Sequence, residues 1–301
     1  MAATTGLIES YIFMAHPALV PGSVAVITGG AAGIGLAAAK RWAAMGLRVC
    51  IADLDSKHIE NAVNEVAVFA LNGLENIIGF EADVSQMADL QNLQRFVQQR
   101  FGSVNVLMNN AGIQPGSSVF DTQHTWERIL SVNLGGAVLG SQLFVPEMVA
   151  SGKPGLVINT GSKQGITAPP GDPAYNASKA GLKVFTEALA YELRNNAGCQ
   201  VTAHLLIPGF VFTGLTAQGR TKKPFGAWTP EQTVNFMVER LNKGDFYILC
   251  PDNDVPRTLD ESRILWAADD IVKNRPALSR WHPDYAVEFA QFVQTYQAKQ
   301  P

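Results

Sequence analysis

Val24-Ala25-Val26-Ile27-Thr28-Gly29-Gly30-Ala31-Ala32-Gly33-Ile34-Gly35 joins an apolar, β-branched run to residues 36–45, where alanines, Lys40, Arg41 and Trp42 make good helix material. Strand, glycine turn and helix in that order give the glycines a purpose. The chain must turn sharply, its backbone must come close to a bound group, and the helix must pack tightly on the strand. The N–H groups and positive dipole at such a helix start suit phosphate. The spacing is Gly29-x3-Gly33-x-Gly35, not the commoner G-x-G-x-x-G fingerprint of dinucleotide sites.

Outward from this stretch, strand-like and helix-like runs alternate. Strands are predicted at Arg48–Asp53, Ile77–Glu81, 104–108, 156–160, Val201–Ile207 and 246–250. Helices are predicted at 56–71 with Ser56 as N-cap, Met87–Phe101, 126–149 broken by Gly135 and Gly136, Pro173–Asn195, and 229–242 after a Thr-Pro start. This alternation implies an α/β fold, a doubly wound parallel sheet with helices on both faces. Residues 1–21 read as a loosely attached lead segment in which Met14 could serve as a natural start. Residues 22–252 read as the main domain, and residues 253–301 as a C-terminal extension with amphipathic helices at 259–273 and 285–296.

The 301 residues carry a formal net charge of −3, which gives no electrostatic footprint for nucleic acid or an anionic membrane. No uninterrupted apolar run is long enough to span a bilayer, and the N-terminus lacks the basic start of a signal peptide. Cys50, Cys199 and Cys250 are an odd set without paired spacing, which fits reduced thiols in a cytoplasmic setting. No metal site is expected: Asp252-Asn253-Asp254 lacks the glycine and distal glutamate of a calcium loop and reads as a turn. His204 reads as a core or interface histidine.

Tyr175 and Lys179 open the long helix at i and i+4, sharing one face. An ammonium beside a phenol favours the phenolate and would lower the tyrosine pKa, readying it for proton exchange with an alcohol or carbonyl oxygen. Ser162, 13 residues before Tyr175, can hydrogen-bond the same oxygen. Asn133 is a poor mid-helix residue because its side chain competes for backbone hydrogen bonds, and with Gly135 and Gly136 it suggests a local kink holding a polar group or water.

The TGxxxGxG stretch at residues 28–35, Asn109-Asn110-Ala111-Gly112, Asn133, Ser162, Tyr175-x3-Lys179 and Pro208-Gly209 occur in one order. Together they resemble the short-chain dehydrogenase/reductase family, in its short-subunit branch, over about residues 22–250. The resemblance implies a Rossmann fold and an oxidoreductase moving hydride between NAD and a secondary alcohol or its ketone. It implies Tyr175 as acid/base, Lys179 holding the nicotinamide ribose and tuning Tyr175, Ser162 binding the reacting oxygen, and Asn133 completing a water-linked proton relay. Gly29, Gly33 and Gly35, with Ile34, would cradle the pyrophosphate. Asp53 would hold the adenosine ribose, and Asp83 and Val84 would flank adenine. Asn110, Ala111 and Gly112 would line the nicotinamide-side ribose and steady the sheet. Pro208, Gly209, Val211 and Thr213 would face the nicotinamide, with Thr213 on its carboxamide.

NAD is expected over NADP because Asp53 would repel a 2′-phosphate, while Ala32 and Leu54 offer no cation where NADP users of this family tend to carry one. Lys163, Gln164, Phe210, Phe212, Leu215 and Trp228 are the expected substrate pocket, suited to a hydrophobic or aromatic small molecule. The chain departs from the family after Cys250, where an extension replaces a short glycine-containing end, so the usual tetramer is in question; a homodimer or homotetramer is expected. A dinucleotide-binding sensor without catalysis, or an epimerase or dehydratase using the same Tyr-Lys pair, is the competing reading. The assembled Asn133, Ser162, Tyr175 and Lys179 set speaks against the first, and the glycine spacing against the second.

Overall fold

The computed structural model describes residues 15–300 apart from Asn72 and Gln123. Of the lead segment, residues 1–14, including Met14, therefore lie outside the described residues. Seven parallel strands form one sheet in the order β3-β2-β1-β4-β5-β6-β7. They are β1 (Val24–Thr28), β2 (Arg48–Asp53), β3 (Ile77–Glu81), β4 (Val106–Asn109), β5 (Gly155–Thr160), β6 (Val201–Ile207) and β7 (Tyr247–Leu249). Every residue of β1, β4 and β5 is buried, so these strands are near-continuous apolar runs, as a sheet covered on both faces requires.

The covering helices follow from their apolar stripes. On one face α1 (Gly33–Ala44), α2 (Ser56–Ala67) and α8 (Pro230–Asn242) bury Ala38, Trp42, Val66, Val234 and Met237 against Ile27, Ile51 and Met108. On the other, α3 (Met87–Phe101), α5 (Gly136–Ala150) and α7 (Pro173–Asn195) bury Leu90, Leu93, Phe144, Met148 and Leu193 against Val26, Leu107 and Val157. Thr229 and Gln232 form a reciprocal cap on α8, with Pro230 in its first turn. At α2 the cap is Asp55, not Ser56: its carboxylate accepts from the His58 N–H at 2.9 Å. Two adjacent residues could both cap, and the one in extended backbone does.

A short helix, α4 (Thr125–Leu130), runs into α5 through a π-turn at Ser131–Gly135. The whole stretch Thr125–Ala150 is long and apolar enough to cross a membrane by length and composition, although Glu127, Arg128 and Glu147 interrupt it. Here it lies against α3, β4 and β5 as a core helix. Polar side chains pin the sheet centre: Asn109 Nδ2 donates to Asn159 Oδ1 at 2.8 Å, and Asn159 Nδ2 donates to Thr186 Oγ1 at 3.0 Å.

Residues 15–21 are not loose. Ala18 and Leu19 are buried in the core, His16 Nε2 meets Thr202 Oγ1 at 3.1 Å, and the His16 N–H donates to Asn242. At the other end, α9 (Arg257–Val272) and α10 (Ala286–Ala298) pack on each other. Trp266, 1% exposed, donates from Nε1 to Ser279 Oγ at 2.8 Å, takes the Arg275 guanidinium on its face at 3.7 Å, and meets Phe289 and Phe292 edge-on. Ile264 anchors the extension on Leu205, Ile207 and Leu249. Truncating a buried tryptophan costs about 3–5 kcal/mol. Trp266→Ala should therefore loosen residues 257–300 first: trypsin should cut at Arg263, Lys273 or Arg280 faster than in the parent while the sheet stays intact. Equal cleavage rates would show that Trp266 does not hold the extension.

Candidate active site

The C-terminal ends of β1, β4, β5 and β6 open into a cavity of about 740 Å³. It lies where the strand order reverses between β1 and β4, the crevice in which open α/β sheets bind ligands. Gly29 and Gly33 line it with φ of +62° and +53°, a region that disfavours side chains. A Cβ on Gly29 would lie 2.8 Å from Ala111 Cα. Gly35 does not line the cavity. A Cβ there would meet Gly29 O at 2.2 Å, so Gly35 serves the close approach of α1 to the end of β1 rather than direct ligand contact. The start of α1 has no side-chain cap and no acid in its first turn, and Gly33 and Ile34 bring it to the cavity wall. Such an end has N–H groups to offer an anion.

Asp53, Asp83 and Val84 line one end of the cavity. The Asp53 carboxylate accepts from the Ala31 N–H at 2.9 Å and from its neighbour Leu54 N–H at 2.8 Å, which ties it to the glycine loop. Asp83 accepts from the N–H and hydroxyl of Ser85 at 2.9 and 2.7 Å. Asn110 sews the centre together: Nδ2 donates to Thr28 O at 3.2 Å and Gly29 O at 3.0 Å, and Oδ1 accepts from Thr160 Oγ1 at 3.2 Å. Ala111 and Gly112 continue the wall.

The helix α7 delivers Tyr175 and Lys179 one turn apart, both buried and both on the cavity. The Lys179 ammonium donates to Thr160 O at 2.7 Å and sits 5.7 Å from the centre of the Tyr175 ring. Burial pulls the lysine down to about 8. Burial also pushes the Tyr175 phenol up to about 12, opposed by a hydrogen bond with Ser162 and reinforced by Asp172. The expected lowering by Lys179 is not what governs the phenol here: burial outweighs every charge around it, and one of the three lysine N–H donors goes to Thr160 O. Ser162 lies on the cavity wall across from them.

Asn133 sits in the π-turn and is 1% exposed. Its Oδ1 accepts from the Ile113 N–H at 2.8 Å, while Nδ2 donates to Ile113 O at 3.0 Å and to Ser178 Oγ at 3.2 Å. Its side chain thus ties the loop after β4 to α7, one layer behind the cavity. A π-turn re-aims one side chain out of helical register, and this one locks the wall to the helix of Tyr175 and Lys179.

Pro208, Gly209, Val211 and Thr213 line the cavity, as do Lys163, Gln164, Phe210 and Leu215. Thr213 also leans on the glycine loop, where a Cβ on Gly33 would meet its methyl at 3.1 Å. Phe212 and Trp228 do not reach the cavity. Val211 and Trp228 pair in a parallel bridge, which turns Trp228 towards Phe236 of α8 at 5.7 Å between ring centres. Lys163 reaches the wall, but its ammonium is ion-paired, with Asp260 at 2.6 Å and Asp252 at 3.3 Å. Ala32 and Leu54, read in the sequence only for the cation they lack, also line the cavity, and Ile113, Gln114, Val132 and Thr160 line it without having been singled out; their only signal is that they neighbour the motifs. Asp252 and Asp254 form the expected turn, the Asp252 Oδ1 accepting from the Asp254 and Val255 N–H groups.

A family model described as short chain dehydrogenase matches residues 23–224. The NADP-dependent (R)-specific alcohol dehydrogenase of Lentilactobacillus kefiri is 33% identical over 222 residues, 68% of this chain and 83% of the relative. The D-beta-hydroxybutyrate dehydrogenase of Cupriavidus necator is 34% identical over 233 residues, 75% of this chain and 85% of the relative. A crystal structure of a short chain dehydrogenase/reductase from Burkholderia phymatum in complex with NAD superposes with a TM-score of 0.75 at 29% identity, covering 85% of this chain and 96% of that one.

The buried lysine makes stability depend on pH. Between about pH 8 and 10.5 the unfolded chain keeps a proton on Lys179 that the folded chain releases, so this residue favours folding as pH rises through that window. Replacing it removes the effect. From pH 8 to 10.5 the unfolding free energy of the ligand-free parent should gain on that of Lys179→Met by on the order of 3 kcal/mol. Denaturant titrations at the two pH values measure this, and a constant gap would mean that Lys179 titrates as in water.

Proposed function

The chain belongs to the short-chain dehydrogenase family, and on that premise we propose that it is an NAD-dependent oxidoreductase acting on a secondary alcohol or its ketone. The observation that carries the reading is the joint burial of Tyr175 and Lys179 on one helical turn, with Ser162 on the wall of the same cavity as the glycine loop and Asp53. The donor set fits a nicotinamide dinucleotide. Backbone bared at Gly29 and Gly33 and the uncapped start of α1 suit its phosphates, Asp53 suits a ribose diol, and Lys179 the second ribose. Bound there, the nicotinamide supplies or accepts hydride.

The remaining chemistry belongs to the side chains. In the ketone direction Ser162 donates to the carbonyl oxygen and Tyr175 gives it the proton; in the alcohol direction Tyr175 takes that proton back. A phenol held near 12 is protonated at neutral pH, ready as an acid but reluctant as a base. Reduction should therefore hold steady across neutral pH, and oxidation should climb as pH rises. Asn133 supports this indirectly, by fixing Ile113 and Ser178 on either side of it.

The coenzyme preference rests on Asp53, since among the relatives one is named as NADP-dependent and one structure holds NAD. Neither Ala32 nor Leu54 beside it offers a cation. Phe210, Leu215 and Ile113 on the wall favour an apolar or aromatic substituent beside the reacting carbon. We further propose residues 22–252 as the catalytic domain with residues 253–301 appended, working in the cytoplasm as a homodimer or homotetramer. Free thiols at Cys50, Cys199 and Cys250, and exposed Ile271, Val272 and Val287 on the extension, support that setting.

Two measurements test the proposal. Tyr175→Phe keeps the ring and loses the proton, so turnover with the best alcohol of a panel should fall roughly 10²–10⁴-fold while NAD binding persists; turnover within twofold of the parent would reject the assignment. Like-charge contact with a 2′-phosphate costs several kcal/mol, so kcat/KM should favour NAD over NADP by on the order of a hundredfold, and Asp53→Asn should narrow that ratio. Equal efficiency with both coenzymes in the parent would remove Asp53 from this role.

A further inference from the structure

Lys163 directly follows Ser162, and its side chain is largely buried. Its ammonium does not face the cavity as a free cation. It lies 2.6 Å from an Asp260 oxygen in α9 and donates to Asp252 Oδ2 at 3.3 Å, both acids being about 5% exposed at their side chains. The same Asp252 oxygen accepts from the Phe210 N–H at 3.2 Å. A Cβ on Gly209 would lie 2.5 Å from that oxygen and 2.9 Å from the ammonium, so the backbone of the loop after β6 lies directly on the pair. Lys163 also donates its N–H to Pro208 O at 3.4 Å. On the far side, Asp260 is 3.9 Å from the Arg263 guanidinium, and Ile264, one turn on, is seated against Leu205, Ile207 and Leu249, the cluster on which Ile166 also packs.

Two loops that line the cavity, one carrying Ser162 and one carrying Phe210, thus share one buried ionic knot whose far end is the C-terminal extension. A charge buried this way is held in one geometry, because losing either partner leaves the other uncompensated. We propose that Lys163 is a positioning residue: bound by Asp252 and Asp260, it holds the Ser162 loop and the loop at residues 208–210 in register, which makes the C-terminal extension a working part of the substrate site. The proposal rests on the oxidoreductase reading for its kinetic consequence but not for its structural one. A misplacement of about 1 Å in a reacting group can cost on the order of a hundredfold, so even small slackness between these loops would register in catalysis.

The test uses the full chain with Asp260→Asn, Asp260→Glu as the conservative variant, and Asp269→Asn as a control on the same helix, where Asp269 pairs with Lys273. Amide hydrogen exchange in the ligand-free protein should rise at least fivefold at residues 161–167 and 208–212 in Asp260→Asn and stay at parent rates in Asp269→Asn. With the best alcohol of the panel, kcat/KM should fall about tenfold or more in Asp260→Asn, with kcat taking a share of the loss, while the Kd for NAD from protein fluorescence stays within twofold. Asp260→Glu should recover most of the efficiency. Should Asp260→Asn not fold, Asp252→Asn must give the same two shifts. Unchanged exchange in the two loops, or kcat/KM within twofold of the parent, overturns the proposal. A parent that turns over no alcohol of the panel defeats the oxidoreductase reading instead, and the exchange data still decide the fate of the knot.

Discussion

The contact on which the rest of the molecule depends is the approach of α1 to the end of β1. No Cβ fits at Gly35, because Gly29 O would be 2.2 Å away. The asparagine that clasps this contact, Asn110, also reaches Thr160 on β5, so three strand ends are registered by one amide. The cavity exists because the backbone there is bare and the sheet reverses its order at that place. Move α1 outward by one methyl group and the glycine loop, the Asn110 bonds and the seat of Asp53 against Ala31 all shift together. The close packing that makes interiors intolerant of added volume is here also what shapes the site.

A second constraint is electrostatic. Lys179 and Tyr175 are both buried, and burial moves them towards their neutral forms, the lysine down and the tyrosine up. At working pH this brings the neutral and charged forms of the lysine closer in energy, making it a better proton carrier, and moves those of the tyrosine further apart, making it a more reserved one. Ser162 is the counterweight on the phenol, and Thr160 O on the ammonium. The two residues read as an interacting pair in sequence are thus governed at least as much by their surroundings as by each other.

Much of this was legible. Ile77–Glu81, Met87–Phe101, Pro173–Asn195 and Val201–Ile207 form as their patterns dictate, the helices because their apolar periods are long and the strands because their runs are apolar and bounded by turn residues. Asn133 announced itself by being a poor helix residue at a glycine pair, and it occupies a π-turn. What escaped depends on partners far away in the chain. His16 docks on Thr202 and Asn242, which no local pattern in a Pro- and Gly-containing lead foretells. Lys163 finds Asp260, nearly a hundred residues on, so its pairing is invisible until the extension is folded. Phe212 and Trp228 were read as pocket aromatics, yet the bridge between Val211 and Trp228 sets which way Trp228 faces. Ser56 and Asp55 were equally good caps by type, and only backbone conformation chose between them.

The strand order has a consequence for how the chain is made. As the polypeptide emerges from the ribosome, β1, β2 and β3 can pair at once, since they are neighbours in the sheet. The other edge of β1, Val-Ala-Val-Ile-Thr with every residue apolar or buried in the finished fold, must wait until residues 106–108 arrive. During that interval it is a bare, flat, hydrophobic strand edge, the feature that invites pairing with another chain. Parallel strands joined by distant crossovers close slowly, so the nascent protein is most exposed to misassociation about a third of the way through its synthesis. Asp260, among the last parts to appear, then ties off the loops beside the cavity. Holding nascent chains at about residue 105, before β4 is available, should make this the stage at which a chaperone is needed most.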